Sequence, residues 1–392
     1  MLDEVVSLLK RLIETESGSG QEQGVAVLLG NYLQGHGFSD VTYDRYGSVL
    51  ARARGKRAGK RVLFDGHIDT VPCKNASDWT SPPFCPTVRD GRLYGRGATD
   101  MKGADAAFAV AAARFLAETG GDFAGELCFA GVVQEECFEG VCARSVGEAV
   151  KPDLVIIGEA SEGNLKCSQR GRAELVIETF GVPCHSANPE QGVNAAVAMC
   201  RLIERIAALP PTVDARMQGD GILVLTDILS EPYPGASVVP HHCRATFDRR
   251  LLPDETRESV LAPIEKIIQE EQAKDATLRA HVGFTCGEAV CYTGETVAAE
   301  RFFPAWVQPP DDDVRRVQLA MEAVGLSPKI TGYRFCTNGS YYGGEAGVRC
   351  IGYGPSQEAL AHTIDESVSL AELSDAAKGY LAMLHTLLNG GA

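Results

Sequence analysis

Three apolar runs in this chain each end in side chains that can hold a cation or move a proton. Residues 62–64 (VLF) lead into His67 and Asp69, 127–133 into Glu135 and Glu136, and 154–157 into Glu159. A glycine-rich stretch, 95–103 (GRGATDMKG), adds Asp100 at the mouth of an Ala-rich helix, and 361–363 (AHT) adds His362. Each has a bland reading when taken alone. H-x-D is most often a structural pair, an acid at a loop–helix junction is often an N-cap, and adjacent acids are usually solvated surface. Recurrence at strand ends is what points to chemistry, because the crevice beyond the carboxyl ends of strands is where open α/β sheets place their sites.

Imidazoles mixed with carboxylates suit zinc, cobalt or manganese, whereas a structural zinc site would use thiolates. Five ligands are too many for one tetrahedral ion that keeps an open position. They fit two divalent ions, each with one histidine and one terminal carboxylate and with a carboxylate shared between them. Such a pair lowers the pKa of a bridging water and polarises a carbonyl, and a further carboxylate can serve as general base. Three ligand carboxylates and one base carry −4, which two divalent ions balance. Without the ions, the four anions would repel in one pocket.

The elements that position these groups follow from periodicity. Leu2, Val5, Val6, Leu9, Leu12 and Ile13 recur at helical spacing, and further helices are expected over 25–33, 104–118, 311–324 and 369–388. Residues 73–86 read as an ordered loop over the crevice, and 338–342 as a turn. The glutamates at 135 and 136 are expected to alternate sides of an extended segment. Between 172 and 290 the order changes to β-α-β-β-α-β, the split βαβ unit. The expected division is therefore a first catalytic part over 1–171, an insert over 172–290 and a second catalytic part over 291–392. The fold class is α/β, with a mostly parallel central sheet and a ferredoxin-like insert.

At 392 residues the chain can form two domains, and its net charge of −15 excludes a nucleic-acid surface. Thirteen cysteines without framework spacing or a C-x-x-C pair fit a reducing compartment. The first helix carries charges within it, so it is neither a signal peptide nor a membrane span. A soluble, cytoplasmic protein without membrane partners is expected.

The chain resembles the two-zinc metallopeptidases and deacylases that include acetylornithine deacetylase, succinyl-diaminopimelate desuccinylase, aminoacylase and carboxypeptidase G. The motifs that carry the resemblance are GHIDTVP (66–72), W..PPF (79–84), YGRGATDMKG (94–103), QEE (134–136), GEAS (158–161), CHSA (184–187) and AHT (361–363), in family order. The resemblance implies a zinc-exopeptidase-like catalytic domain with an inserted lid that also dimerises. It implies His67 and Glu159 on one metal, Glu136 and His362 on the other, and Asp100 bridging. Asp69 would orient His67, and Glu135 would be the general base. His185 would bind the oxyanion, commonly at the partner subunit's site, with Arg250 and Asn338 contacting substrate. The implied reaction is amide hydrolysis of an N-acyl amino acid or a small peptide, the latter as a dipeptidase or carboxypeptidase.

Residues 237–240 read SVVP where many members have Asn-Val-Ile-Pro, which alters the carboxylate-binding segment. The strings KCSQRGRAELVIETFG, CHSANPEQGVNA and TNGSYYGG look like the subgroup called selenium-metabolism-linked hydrolases. Two readings compete with hydrolysis. One is a catalytically silent metal- or peptide-binding protein, disfavoured because the ligand set and Glu135 are all present. The other is a pyridine-nucleotide enzyme using the Gly-x-Gly turn, disfavoured because Asp100 would repel a pyrophosphate and the third glycine is missing.

Overall fold

A computed structural model describes residues 1–74, 76–217 and 219–389. The chain forms two compact units. One comprises Met1–Gln169, Glu288–Ala298 and the residues from Val307; the other comprises Arg170–Gly287 and Ala299–Trp306. The boundary expected at 290 is spread over a two-stranded ribbon, Cys286–Val290 with Thr296–Glu300.

The large sheet of the first unit has four mutually parallel strands at its centre: Ala124–Val132, Arg57–His67, Leu154–Ile157 and Arg349–Gly352. Val62, Leu63 and Phe64 are wholly buried, as expected for strands covered on both faces. Because these strands share one direction, His67, Glu135, Glu136 and Glu159 emerge at the same edge. The sheet is mixed around this parallel centre. Asp40–Tyr43 and Val49–Arg54 form an antiparallel hairpin that joins Ala124–Val132 antiparallel. A short loop after Tyr43 permits that geometry, whereas a parallel pair needs a long crossover.

Under the site, Phe64 stacks on Phe108 at 4.1 Å between ring centroids and on Phe129 at 5.2 Å, with Tyr380 at its edge. Phe108 belongs to the helix Lys102–Thr119, which is buried nearly all round and ends at Gly120 with a left-handed φ of 56°. Tyr380 belongs to Leu370–Leu388, opened by a capping box between Ser369 and Glu372. The first helix, Leu2–Glu14, buries Val5, Leu8, Leu9, Leu12 and Ile13.

The second unit has a four-stranded antiparallel sheet in the order Ile222–Glu231, His242–Leu251, Gly171–Phe180, Arg279–Phe284. Its helices, Ala195–Ala207 and Arg257–Lys274, complete the β-α-β-β-α-β order. Leu175, Ile177, Met199, Leu202, Phe247 and Ile264 meet in its core.

Candidate active site

Asp100 stands between two histidines. Its Oδ1 lies 2.8 Å from His67 Nε2 and its Oδ2 3.0 Å from His362 Nε2. Glu159 Oε1 is 3.5 Å from His67 Nε2, and Glu136 Oε2 is 3.0 Å from His362 Nε2. Two groups result, His67–Asp100–Glu159 and Asp100–Glu136–His362, and within each the candidate ligand atoms lie within 4.8 Å of one another. Asp100 belongs to both.

Several braces hold this geometry. His67 Nδ1 lies 2.9 Å from the Asp69 carbonyl, which leaves Nε2 for the crevice. The buried Asp69 carboxylate accepts from Ser19 Oγ at 2.7 Å, from the Glu135 N–H at 3.1 Å and from the Glu136 N–H at 3.2 Å. It therefore positions the glutamates as well as His67. Glu366 accepts from the N–H groups of Thr99 and Asp100, at 2.8 and 3.0 Å, and pairs with Arg96. The loop over 73–86 is tied in the same way, with the Thr80 N–H donating to Asp365 at 2.9 Å. Glu135 and Glu136 do not lie in an extended segment. The strand stops at Val132, Gln134 takes a φ of 61°, and the Phe138 N–H donates to the Gln134 carbonyl in a tight turn.

The electrostatics are those of a crowded anion pocket. Burial pushes Glu135 and Glu159 well above the usual carboxylate range, and neighbouring carboxylates add to the effect. Burial, with the charge of Asp100, raises Glu136 to about 7. Burial opposes ionisation of Asp100 too, but hydrogen bonds from His362 and His67 outweigh it and hold the carboxyl well below its ordinary value. His362 rises to about 10 through its bonds to Asp100 and Glu136. Burial works against a charged His67, yet Asp100, Asp69, Glu135 and Glu159 lift it well above 6.5.

The residues fit a pair of divalent ions. The donors are imidazole nitrogens and carboxylate oxygens, and Glu135 Oε1 and Glu136 Oε1 are buried without a hydrogen-bond partner among the described residues.

His185 and Arg250 belong to the second unit. His185 is exposed, its Nδ1 accepting from the Ala187 N–H at 3.0 Å. Arg250 lies on the strand His242–Leu251, its Nε 2.9 Å from Asp248 Oδ1. Asn338 belongs to the first unit. It is 2 % exposed, its Nδ2 donating to Asp65 Oδ1 and its Oδ1 accepting from the Gly140 N–H, both at 2.9 Å. These two bonds tie Asp65 to the turn at Gly140 through the Asn338 amide.

Sequence reasoning missed a layer of buried ionisable groups. Asp65 takes bonds from Asn338 and Tyr342, and burial lifts it to about 6. Asp105 is wholly buried with neither oxygen partnered among the described residues, and it packs where a Cβ on Gly66 would sit 2.0 Å from its Oδ1. Glu22, raised to about 7 chiefly by burial, accepts from the N–H groups of Gly20 and Gln134. An acid inside the apolar run VLFDGH was the available signal for Asp65.

A parallel-centred α/β unit that gathers two imidazoles and four carboxylates at its strand ends is built as a metallohydrolase. The family model described as Peptidase family M20/M25/M40 matches residues 63–386. The chain belongs to that family and is a hydrolase. A succinyl-diaminopimelate desuccinylase of Cereibacter sphaeroides is 31% identical over 337 residues, covering 83% of this chain and 84% of that one. The Escherichia coli protein YgeY is 29% identical over 386 residues, covering 97% and 93%. Among solved structures, aminopeptidase PepT of Bacillus cereus superposes with a TM-score of 0.76 at 19% identity, covering 98% of each chain. The YXEP protein of Bacillus subtilis, a dinuclear metal binding peptidase, gives 0.72 at 14%, also covering 98% of each. At these identities the structural likeness is one of fold. Among the described residues, no helix is long and apolar enough to cross a membrane.

Proposed function

We propose that the enzyme hydrolyses the amide bond of an N-acyl amino acid or small peptide, with two divalent ions, zinc foremost and cobalt or manganese as alternatives. The observation that carries this reading is the double engagement of Asp100, one oxygen toward each histidine. His67 and Glu159 would hold one ion and Glu136 and His362 the other, with Asp100 shared. When bound, such a pair polarises a carbonyl and acidifies water.

Glu135, not counted among the ligands, takes the proton from the attacking water. It then delivers that proton to the leaving amide nitrogen, so the C–N bond breaks to a carboxylic acid and a free amine. Its buried, anion-crowded setting raises its proton affinity, which suits a group that must accept and return a proton near neutrality. Asp69 keeps Glu135 aimed through the backbone N–H. His185 and Arg250 are the second unit's candidates for the oxyanion and a substrate carboxylate, each bearing polar atoms suited to anions.

The test is a panel of N-acyl amino acids and dipeptides against zinc- and cobalt-loaded enzyme, run beside Glu135→Gln. The variant is expected to keep its metal by elemental analysis while kcat falls roughly 10²- to 10⁴-fold. Wild-type turnover in Glu135→Gln would remove the base assignment. Loss of metal in it would make Glu135 a ligand.

We also propose a cytoplasmic homodimer joined through the second unit. Its edge strand Ile222–Glu231 exposes Val224, Ile228 and Leu229, and a bare apolar edge is a template for pairing. Light scattering should give twice the chain mass, and a Val224→Lys, Ile228→Lys variant should run as a monomer. A wild-type monomer would remove the dimer.

A further inference from the structure

Glu22 opens the helix Gln23–Gly35 yet makes no capping bond to it. An acid at a helix start is usually explained by that helix's own N–H groups and dipole. This one is wholly buried, and its Oε1 accepts from the Gly20 N–H at 2.9 Å and from the Gln134 N–H at 3.3 Å. Gln134 begins the turn that carries Glu135 and Glu136, whose own N–H groups are accepted by Asp69. Three successive N–H groups are therefore shared between two buried carboxylates. Consecutive amides of this kind form a concavity suited to anions.

The turn depends on such holding. The strand before it stops at Val132, and Gln134 takes a left-handed φ of 61° that a side chain disfavours. The segment before Glu22 works on the neighbouring strand end. Ser17 Oγ donates to the Ile68 carbonyl at 2.7 Å, the Ser17 carbonyl accepts from the Thr70 N–H at 2.9 Å, and Ser19 holds Asp69. Gly20, at a φ of 86°, lets this segment close on the turn. A Cβ there would fall 2.8 Å from the Val290 carbonyl and 3.5 Å from Gln134 Nε2. Residues 17–22 thus run from the strand end that bears His67 to the turn that bears Glu135.

We propose that Glu22 is a positioning residue for hydrolysis, which sets the direction of Glu135 through the Gln134 N–H. It touches neither of the histidines nor the carboxylates assigned to the ions. Asp69 reaches His67 and the Glu136 N–H, so its loss would disturb the metal ligands. Glu22 holds only the residue before the base, so its loss falls on turnover. The bonds to Gly20 and Gln134 require an acceptor oxygen, which glutamine also supplies and alanine does not. The consequence for turnover rests on the hydrolytic reading, whereas the anchoring of the turn does not.

The test compares Glu22→Ala, Gly20→Ala and Glu22→Gln in the full-length protein, by hydrogen exchange without metal and by kinetics with zinc. In both alanine variants the peptide over 133–138 should exchange roughly ten-fold faster, with the strand over 60–66 unchanged. Their kcat should fall roughly 10- to 100-fold, the scale of a slightly misplaced catalytic group. KM and zinc content should hold, because Asp69 still accepts from the Glu136 N–H. Glu22→Gln should rescue both exchange and kcat. Unchanged exchange over 133–138 in Glu22→Ala overturns the anchor, and unchanged kcat beside faster exchange overturns its role in turnover. Faster exchange throughout the protein would make Glu22 a stability residue only, and a Glu22→Gln as impaired as Glu22→Ala would show that the acceptor is not what matters. A wild type that hydrolyses none of the amide panel removes the hydrolytic reading instead, and the exchange result still decides the anchor.

Discussion

His67 and Phe247 both sit on strands and are equally hidden, at 1 % and 2 % exposure, yet their surroundings are opposite in kind. Around Phe247 are Leu175, Met199, Leu202 and Ile264, a core that gains by removing apolar area from water. Around His67 are Asp69, Asp100, Glu135 and Glu159. Most of the second unit's charges pair instead at its surface, as in Arg201 with Asp275 at 2.9 Å and Arg216 with Asp254 at 2.7 Å. One unit is held by area, and the other keeps at its rim an arrangement of charge that cations would relieve. A hydrolase needs the second kind of interior only where the reaction occurs.

Four measurements can break or sharpen that contrast. The largest effect is expected from Asp100→Ala, which removes an oxygen from both triads. It should abolish activity and empty both sites by elemental analysis at metal concentrations that saturate the wild type. Retention of either ion would mean that the triads do not share Asp100. Next, Leu202→Ala in the second unit's core should cost about 2–5 kcal/mol in unfolding free energy, with metal content at room temperature unchanged. A coincident loss of metal would show that the two interiors are not separable.

Asp69→Asn should weaken metal affinity or kcat/KM roughly 10- to 100-fold, the range for groups that orient ligands. An unchanged enzyme would remove Asp69 from the brace. The smallest effect concerns Glu22. Its pKa is raised from 4.5 to about 7 in the fold, chiefly by burial, so the stability linked to it is present below 4.5 and is lost as pH rises toward 7. Glu22→Gln should therefore raise the Tm of the metal-free protein at pH 8 and change it little at pH 4. An equal shift at both pH values would contradict the buried-charge account.

The strand-end residues were legible because the sheet writes them plainly. An apolar run stops, and polar side chains begin where parallel strands share an edge. The β-α-β-β-α-β order was legible for the same reason, since period-2 and period-3.6 stretches alternate cleanly over 172–290. The buried polar layer was not. Asp105 and Lys102 look in sequence like ordinary charges in an Ala-rich helix, although Lys102 donates to the carbonyls of Leu12 and Thr15 from a fully buried position. The exchange of carboxylate and backbone between Asp69 and the 134–136 turn was equally hidden, because only the folded chain brings residue 69 beside residue 135. The tether at Asn338 was hidden for a related reason. A polar residue in a glycine-rich turn suggests exposure, and here Asp65 and Gly140 occupy its amide.

Glu366 has a consequence for the life of the chain. It fastens the backbone of Thr99 and Asp100, while the strand that follows it, Ser367–Ser369, pairs with Arg92–Tyr94. The carboxylate that faces both histidines is thus fixed from far along the chain. Such a contact closes a loop of 266 positions, so Asp100 is set only once distant parts of the chain have found each other.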